Sequence, residues 1–221
     1  MLLEREVAFC LYSRYTSMKR NSSMKLKIGI IGSASGPQVE DPTAMEKARA
    51  MGKEIAKRGY ILVNGACPGI PDEAAKGAKE AGGMVIGISP AFSEYEHVNE
   101  YMSPHYHDIL IYTGLGFMNR DIINIRSCDA VILISGGIGS LNEFTIAYDE
   151  GRPVGILTNS GGISNSIPHI VEELCHRPLP PNTVFDDTPS TLLDKVEIAI
   201  KTFPLPIHQD GRVKDHRLGR G

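Results

Sequence analysis

The chain has 221 residues, 42% of them hydrophobic and 22% charged, which suits one globular domain and argues against two full ones. Its 26 acidic and 23 basic residues give a formal charge of -3 with no basic block in the core of the sequence, so nucleic-acid binding is not expected. No apolar run approaches the roughly 20 residues that cross a bilayer, so we expect a cytoplasmic protein with no membrane partner.

Three regions are expected along the chain. Residues 1–23 are interpreted as an N-terminal extension, because their brief apolar patch follows two acidic residues and lacks the cleavage site of a secretory signal. Residues 24–202 carry the pattern of a folded domain. Residues 203–221 contain Pro, Gly, Arg and His without periodicity and are expected to form a mobile or loosely docked tail.

Short apolar runs alternate with segments of helical periodicity throughout the domain. We predict strands at residues 25–31, 60–63, 84–88, 108–112, 130–134, 154–157 and 183–185. Helices are predicted at residues 42–57, 71–81, 116–127, 140–150 and 189–201 and near residues 166–176. Asp41 and Pro42 form a good N-cap and first-turn pair for the first of these helices. The alternation implies an α/β, Rossmann-like, doubly wound parallel sheet with helices on both faces in a single domain.

A polar stretch at residues 89–107 joins two of the predicted strands. It is too long for an ordinary connection in a compact domain, so it is a candidate lid or substrate loop. His105 and His107 would share one face of an extended segment, but no third ligand accompanies them, and zinc sites need at least three protein ligands. We therefore predict neither a metal site nor a cofactor.

Glycine turns follow three of the predicted strands. In a parallel sheet, the turns at Gly32, Gly65 and Gly136 would gather at the carboxyl ends of the strands, where ligands bind. Gly32, Ser33 and Gly65 are candidate nucleotide contacts there, although a serine beside a glycine is more often a turn former. Residues 129–150 read as strand, glycine turn and helix, and the unpaired N–H groups of a helix start favour a phosphate. Glu143 lies one turn into that helix.

The glycines do not match the common nucleotide fingerprints. A P-loop needs a lysine directly after its last glycine, and Ser140 follows Gly139 instead. A dinucleotide site needs G-x-G-x-x-G after the first strand and an acidic residue at the end of the next one, and neither is present. ATPase and NAD-dependent chemistry are therefore disfavoured.

A resemblance to a known family narrows the interpretation. The segment F-M-N-R-D, which contains Arg120, and the later S-G-G-I-G-S-L-N-E, which ends at Glu143, are similar to the M-H-E-R-K and P-G-G-x-G-T-x-x-E motifs of the Lonely Guy (LOG) family and its SLOG relatives. These proteins were formerly labelled lysine decarboxylases. The resemblance covers residues 25–200 and implies a Rossmann-like homodimer that hydrolyses the N-glycosidic bond of a nucleoside 5′-monophosphate.

The resemblance also assigns roles to residues. Arg120 matches the catalytic arginine and Glu143 the catalytic glutamate, and the phosphate-binding turn corresponds to Gly136, Gly137, Gly139 and Ser140. The chemistry fits, since a carboxylate beside C1′ stabilises the positive charge that develops on the sugar and orients or deprotonates the attacking water. A guanidinium can hold the phosphate or steady the departing base. No lysine lies in the glycine turns, so pyridoxal chemistry has no support.

Four positions depart from the family motifs. Ser135 replaces a proline and Ser140 a threonine, while Asn142 stands where a second glutamate is frequent and Asp121 where the family has lysine. Asp121 and Asn142 favour an alternative function, in which the protein binds a nucleotide or a phosphorylated cofactor without turnover, as molybdenum-cofactor carrier proteins of similar fold do.

Structural interpretations of the same residues remain open at this point. Ser140 and Glu143 also spell S-x-x-E, a helix capping box in which the glutamate only bonds a backbone N–H. Arg120 could be a solvated helix residue. Phe117 and Met118 are expected in the core.

The four cysteines form no C-x-x-C pair. They are Cys10, Cys67, Cys128 and Cys175. We expect free thiols, as in a protein of a reducing compartment.

Overall fold

The computed structural model describes residues 24–101 and 106–203. The strands in these ranges are β1 (Lys27–Gly32), β2 (Ile61–Asn64), β3 (Met84–Ser89), β4 (Ile109–Tyr112), β5 (Ala130–Ile134), β6 (Val154–Leu157) and β7 (Thr183–Asp186). They pair in parallel in the order β4-β3-β2-β1-β5-β6-β7. The predicted α/β, Rossmann-like fold is therefore confirmed. The predicted extension, and the predicted tail apart from its first residue, lie outside the described residues.

Helices connect the strands and cover both faces of the sheet. The α-helices are α1 (Pro42–Lys57), α2 (Ile70–Glu80), α3 (Glu94–Asn99), α4 (Gly116–Arg126), α5 (Ile138–Asp149) and α6 (Pro189–Thr202). Short 3-10 helices lie at Pro37–Val39 and Gly162–Ser166, and a π-helix at His169–Leu174. Asp41 is the N-cap of α1, as predicted, and its carboxylate accepts a hydrogen bond from the Thr43 N–H.

The sheet separates two apolar cores, and β5 contributes to both. Ile132 on β5 belongs to the core beneath α1, α2 and α6, whereas Leu133, its neighbour, belongs to the core beneath α4 and α5. Every residue of β5 is buried, because a central parallel strand is covered on both faces and its side chains alternate between them. Because β5 is packed on both faces, the position at which the following glycine turn begins is fixed.

Most predicted boundaries differ from the structure by at most two residues, and three predictions need correction. The stretch at residues 89–107 was expected to be an irregular loop but contains α3; of the remainder, residues 102–105 are not described. The helix predicted near residues 166–176 is a 3-10 helix followed by a π-helix. The helix after the glycine turn begins at Ile138, two residues before the predicted start.

The structure bears on two further predictions from composition. Within residues 24–101 and 106–203, no helix combines the length and the apolar character needed to cross a membrane. Cys67, Cys128 and Cys175 are free thiols, and Cys10 lies outside the described residues.

Candidate functional site

The site lies where the order of the strands reverses. β1 has β2 on one side and β5 on the other, so the connections from β1 and β5 leave the sheet in opposite directions and open a crevice between them. A cavity of about 390 Å³ occupies this crevice. Its wall contains all but one of the predicted site residues, namely Gly32, Ser33, Gly65, Arg120, Gly137, Gly139, Ser140 and Glu143.

The glycine turn after β5 forms one side of the cavity. Ser135 and Gly136 have φ angles of 55° and 95°, and Gly137 is the N-cap of α5. The Gly136 carbonyl accepts a hydrogen bond from the Ile163 N–H at 3.0 Å, so Gly136, the remaining predicted residue, anchors the turn instead of lining the cavity. The first turn of α5 brings its N–H groups and the positive end of its dipole to this wall, which suits a phosphate.

The left-handed backbone at Ser135 is incompatible with the proline that the family motif has at this position. A proline ring fixes φ near -65°, so it cannot adopt the conformation that Ser135 has here. The Ser135 N–H donates to Ser160 Oγ at 2.8 Å, and the Ser135 carbonyl accepts from the Ser164 N–H at 3.1 Å. The turn is therefore held by the 159–164 loop in a shape that differs at this residue from a P-G-G turn.

The capping-box interpretation of Ser140 and Glu143 is wrong. Because the N-cap is Gly137, Ser140 is already inside the helix and cannot cap it. The Glu143 carboxylate instead accepts a hydrogen bond from Asn124 Nδ2 at 3.0 Å, which ties α5 to α4. Glu143 is 7% exposed, and what remains exposed faces the cavity.

Arg120 is buried at the cavity wall, so its interpretation as a solvated residue is also wrong. Its Nη1 donates to Asp121 Oδ1 at 3.0 Å and lies 3.8 Å from Glu143 Oε1, while its Nη2 donates to Cys67 Sγ at 3.2 Å. Arg120 is only 3% exposed, and its buried Nε has no hydrogen-bond partner among the described residues. Gly65 leaves the room for this side chain, since a Cβ there would overlap the guanidinium.

Two departures from the family motifs contact each other. Asn142 Nδ2 donates to Asp121 Oδ2 at 2.9 Å, although the residues are 21 positions apart on different helices. Neither residue was predicted as a site residue, and nothing in the local sequence pairs them. Asp121 is 4% exposed and lines the cavity beside Arg120.

The buried carboxyls have shifted pKa values. Burial raises the pKa of Glu143 to about 8, and the Asp121 carboxylate adds to this rise, while Arg120 and the Asn124 hydrogen bond oppose it. Burial likewise raises the pKa of Asp121, against the pull of Arg120. Such a shift inside a cleft is typical of functional sites.

The prediction that Phe117 and Met118 lie in the core is wrong. Phe117 and Met118, expected in the core, are 51% and 58% exposed and stand on the cavity wall. His105 lies outside the described residues, and His107 Nε2 is 2.8 Å from Asn64 Oδ1. Burial raises the pKa of the Cys67 thiol, which adds a neutral donor and acceptor to the wall.

The arrangement suits one kind of chemistry. A ligand phosphate fits the N–H groups at the start of α5, and a group about one helical turn away meets the Glu143 carboxyl and the Arg120 guanidinium. A sugar phosphate has this length. A carboxyl beside the anomeric carbon can promote cleavage of the bond to a base.

Comparisons with known proteins agree with the fold and the motifs. A model of the SLOG cluster4 family matches residues 25–184. An uncharacterized protein of the archaeon Archaeoglobus fulgidus is 36% identical over 135 residues, which cover 61% of this chain and 82% of that protein.

Of two similar proteins whose names state a function, one is named as a hydrolase and the other as a cofactor-binding protein. The cytokinin riboside 5′-monophosphate phosphoribohydrolase of Mycobacterium tuberculosis is 32% identical over 108 residues. That match spans 48% of this chain and 55% of the enzyme, so it covers about half of each. The molybdenum cofactor binding protein of the phototrophic bacterium Rippkaea orientalis superposes with a TM-score of 0.65 at 29% identity, covering 81% of this chain and 99% of that one.

Proposed function

The chain belongs to the SLOG cluster4 family, and on that premise we propose that it hydrolyses the N-glycosidic bond of a nucleoside 5′-monophosphate to release the base and ribose 5-phosphate. One observation carries the proposal. Arg120 and Glu143 are 23 positions apart, yet their side chains approach to 3.8 Å on the wall of a cavity that also contains the glycine turn.

Each group has a part in the proposed reaction. The phosphate binds the N–H groups of the α5 start, which places C1′ of the ribose near Glu143. In its ionised form the Glu143 carboxylate takes a proton from water as the water oxygen bonds to C1′, and the C1′–N bond breaks with its electron pair moving to the base. A neutral base leaves as its anion and takes up a proton from solvent, and Glu143 returns its own proton to solvent. Arg120, beside Glu143 on the same wall, contacts the substrate and stabilises the charge that develops as the bond breaks.

A second function is favoured by a specific contact. Asp121 accepts a hydrogen bond from Arg120 at 3.0 Å and neutralises its charge. The guanidinium therefore stabilises the charge of a transition state less strongly. A site of this kind could hold a phosphorylated ligand without turning it over. The similarity to a molybdenum cofactor binding protein points the same way.

The deciding experiment uses a panel of nucleoside monophosphates and measures free base by chromatography. Wild type should release base from at least one of them, and Glu143→Gln should lower kcat by about 10²–10⁴-fold while nucleotide binding persists. Glu172→Gln removes the same charge from an exposed position and is the matched control.

Two outcomes would contradict this proposal in different ways. If no nucleotide is cleaved but calorimetry detects nucleotide binding, the hydrolase fails and the binding function stands. If Glu143→Gln turns over as fast as wild type, the role given to Glu143 is wrong.

We further propose that the protein is a cytoplasmic homodimer. Its free thiols are those of a reducing compartment. Ile122 and Ile123 on α4 are exposed, as are Ile109 and Ile111 on the edge strand β4, and such surface is typical of an interface. Sedimentation of the full chain should give twice the mass of the monomer, and Ile123→Glu should shift it towards monomer. A monomeric wild type would exclude the dimer.

A further inference from the structure

We propose that the cavity prefers nucleoside 5′-monophosphates whose base is a cation, such as an N-alkylated pyridinium or purinium, over nucleotides with a neutral base. This inference rests on the proposed function for its chemistry, because it names the substrate class of the same site. It draws on the charges of the wall, on the exposed ring of Phe117 and on the needs of the leaving group.

The charges of the wall are unevenly distributed. In the part of the chain that the structure describes, the charged side chains that line the cavity are Arg120, Asp121 and Glu143. Asp121 is paired with Arg120, so this wall is nearly neutral while Glu143 holds its proton and carries one net negative charge once Glu143 is ionised. The opposite wall offers the N–H groups and the positive dipole end of α5. A cavity with a site for an anion and a neighbouring negative wall complements a ligand that carries a phosphate and a cationic ring.

Phe117 provides a surface for such a ring. It is 51% exposed on the cavity wall, and the Arg120 guanidinium carbon lies 5.9 Å from its centroid, so the ring already faces one cation. The π face of an aromatic ring attracts positive charge, and a flat cationic base gains both stacking and this attraction. A neutral base gains only the stacking.

The requirements of the leaving group also favour nucleotides with a cationic base. When the C1′–N bond breaks, the electron pair goes to the base: a neutral base departs as an anion unless it is protonated, whereas a cationic base departs as a neutral molecule. Glu143 takes the proton of the attacking water, and Asp121 is held between Arg120 and Asn142. Among residues 24–101 and 106–203, the cavity wall contains neither His nor Lys, and burial raises the pKa of the Cys67 thiol there, which makes it a weak acid. This wall therefore suits a base that needs no proton in order to leave.

Binding of a cationic base should also release the proton that Glu143 holds when the site is empty. Among the described residues, the groups around Glu143 are Arg120, Asp121 and Asn124 on α4, the Cys128 thiol just after α4 and the Cys67 thiol on the turn after β2. With Asp121 beside it, Glu143 has its pKa raised to about 8 by burial first and by Asp121 second. A positive ring beside this carboxyl lowers the pKa again, so the proton leaves as the ligand binds.

The test compares nicotinamide mononucleotide and N7-methylguanosine monophosphate with AMP and GMP. We expect calorimetric Kd values for the cationic pair to be about tenfold lower at pH 7, which corresponds to about 1.4 kcal/mol. Binding of the cationic pair should release protons, measured in buffers of different ionisation enthalpy, and their kcat/KM should be higher by a similar factor. Asp121→Asn keeps the shape of the side chain and should reduce the preference to within about threefold.

Each outcome decides the inference separately from the proposed function. Equal Kd values for the cationic and neutral nucleotides in wild type overturn the inference, even if all of them are hydrolysed. The inference is also overturned if Asp121→Asn and the exposed control Glu172→Gln both keep the full Kd preference of wild type. The preference would then not arise at this wall. If nothing is hydrolysed but the Kd preference holds and Asp121→Asn removes it, the proposed function fails and the preference stands.

Discussion

The two walls of the cavity are held in different ways. The glycine turn is fixed by backbone groups and serine hydroxyls of the 159–164 loop, so its shape does not depend on a ligand. The opposite wall is a network of charged side chains, backed by the buried Asn124. Buried atoms without a hydrogen-bond partner among the described residues occur on both sides: Arg120 Nε and Asn124 Oδ1 in this network, and Ser135 Oγ at the turn. Buried polar groups of this kind are stable only when neighbours compensate them. What distinguishes the opposite wall is its charge, because Arg120, Asp121 and Glu143 line the cavity there and the turn has no charged side chain.

The difference predicts where each wall is fragile. Backbone changes should damage the turn and leave the titration of the other wall intact. Changes of charge or side-chain volume should alter the α4–α5 wall and leave phosphate binding at the turn intact.

Ser135→Pro should break the turn. Proline cannot adopt the left-handed φ of Ser135 and removes the N–H that donates to Ser160, so we expect a loss of about 3 kcal/mol or more in unfolding free energy. Phosphate-ligand binding should be lost with it. Denaturant unfolding and calorimetry measure both effects. Ser135→Gly, which accepts this φ, is the control and should remain folded and bind. A stable, binding Ser135→Pro variant would show that the turn tolerates a P-G-G shape.

Gly65→Ala should disturb the charged wall. The added Cβ would overlap the Arg120 guanidinium, which is confined by Asp121 and Cys67, so we expect a loss of about 1–3 kcal/mol in stability and a lower kcat. Gly139→Ala is the matched substitution at a glycine with open space around it. In the first turn of α5 it should be neutral or stabilise by up to about 1 kcal/mol. If both variants lose the same stability, crowding of Arg120 is not the cause.

The outcome of two S-x-x-E patterns shows what the sequence can predict. Ser93 and Glu96 spell it at the start of α3, where Ser93 Oγ accepts from the Glu96 N–H and the Glu96 carboxylate accepts from the Phe92 N–H. Ser140 and Glu143 spell it inside α5, where it caps nothing. Local spacing could not separate the two, and α3, with six residues, is too short for periodicity to reveal.

Long apolar runs and glycine turns were more informative than short patterns. β5 was predicted with its correct ends, since a fully buried strand is an unbroken apolar run. The turns were placed together because parallel strands end at one edge of the sheet. The contact between Asp121 and Asn142 could not be predicted, because it depends on how α4 packs on α5 and not on either local sequence.

The last prediction concerns the titration of the charged wall. Burial and Asp121 raise the pKa of Glu143 to about 8, above its value in an unfolded chain. Between those two values the folded protein holds a proton that the unfolded chain has released, so the unfolding free energy falls as pH rises towards 8. Glu143→Gln cannot titrate and should become more stable than wild type, by a margin that grows by about 1 kcal/mol per unit between pH 6 and 8.

The same experiment separates the two walls. Denaturant unfolding of wild type, Glu143→Gln and Ser135→Gly at pH 6, 7 and 8 would show the pH-dependent margin only for Glu143→Gln, since the turn contains no titrating side chain. The burial that raises the pKa of the Cys67 thiol adds nothing in this window, because both its folded and its unfolded values lie above pH 8. A stability difference between Glu143→Gln and wild type that is constant with pH would mean that Glu143 is already ionised in the empty cavity. The binding of a ligand would then release no proton from it.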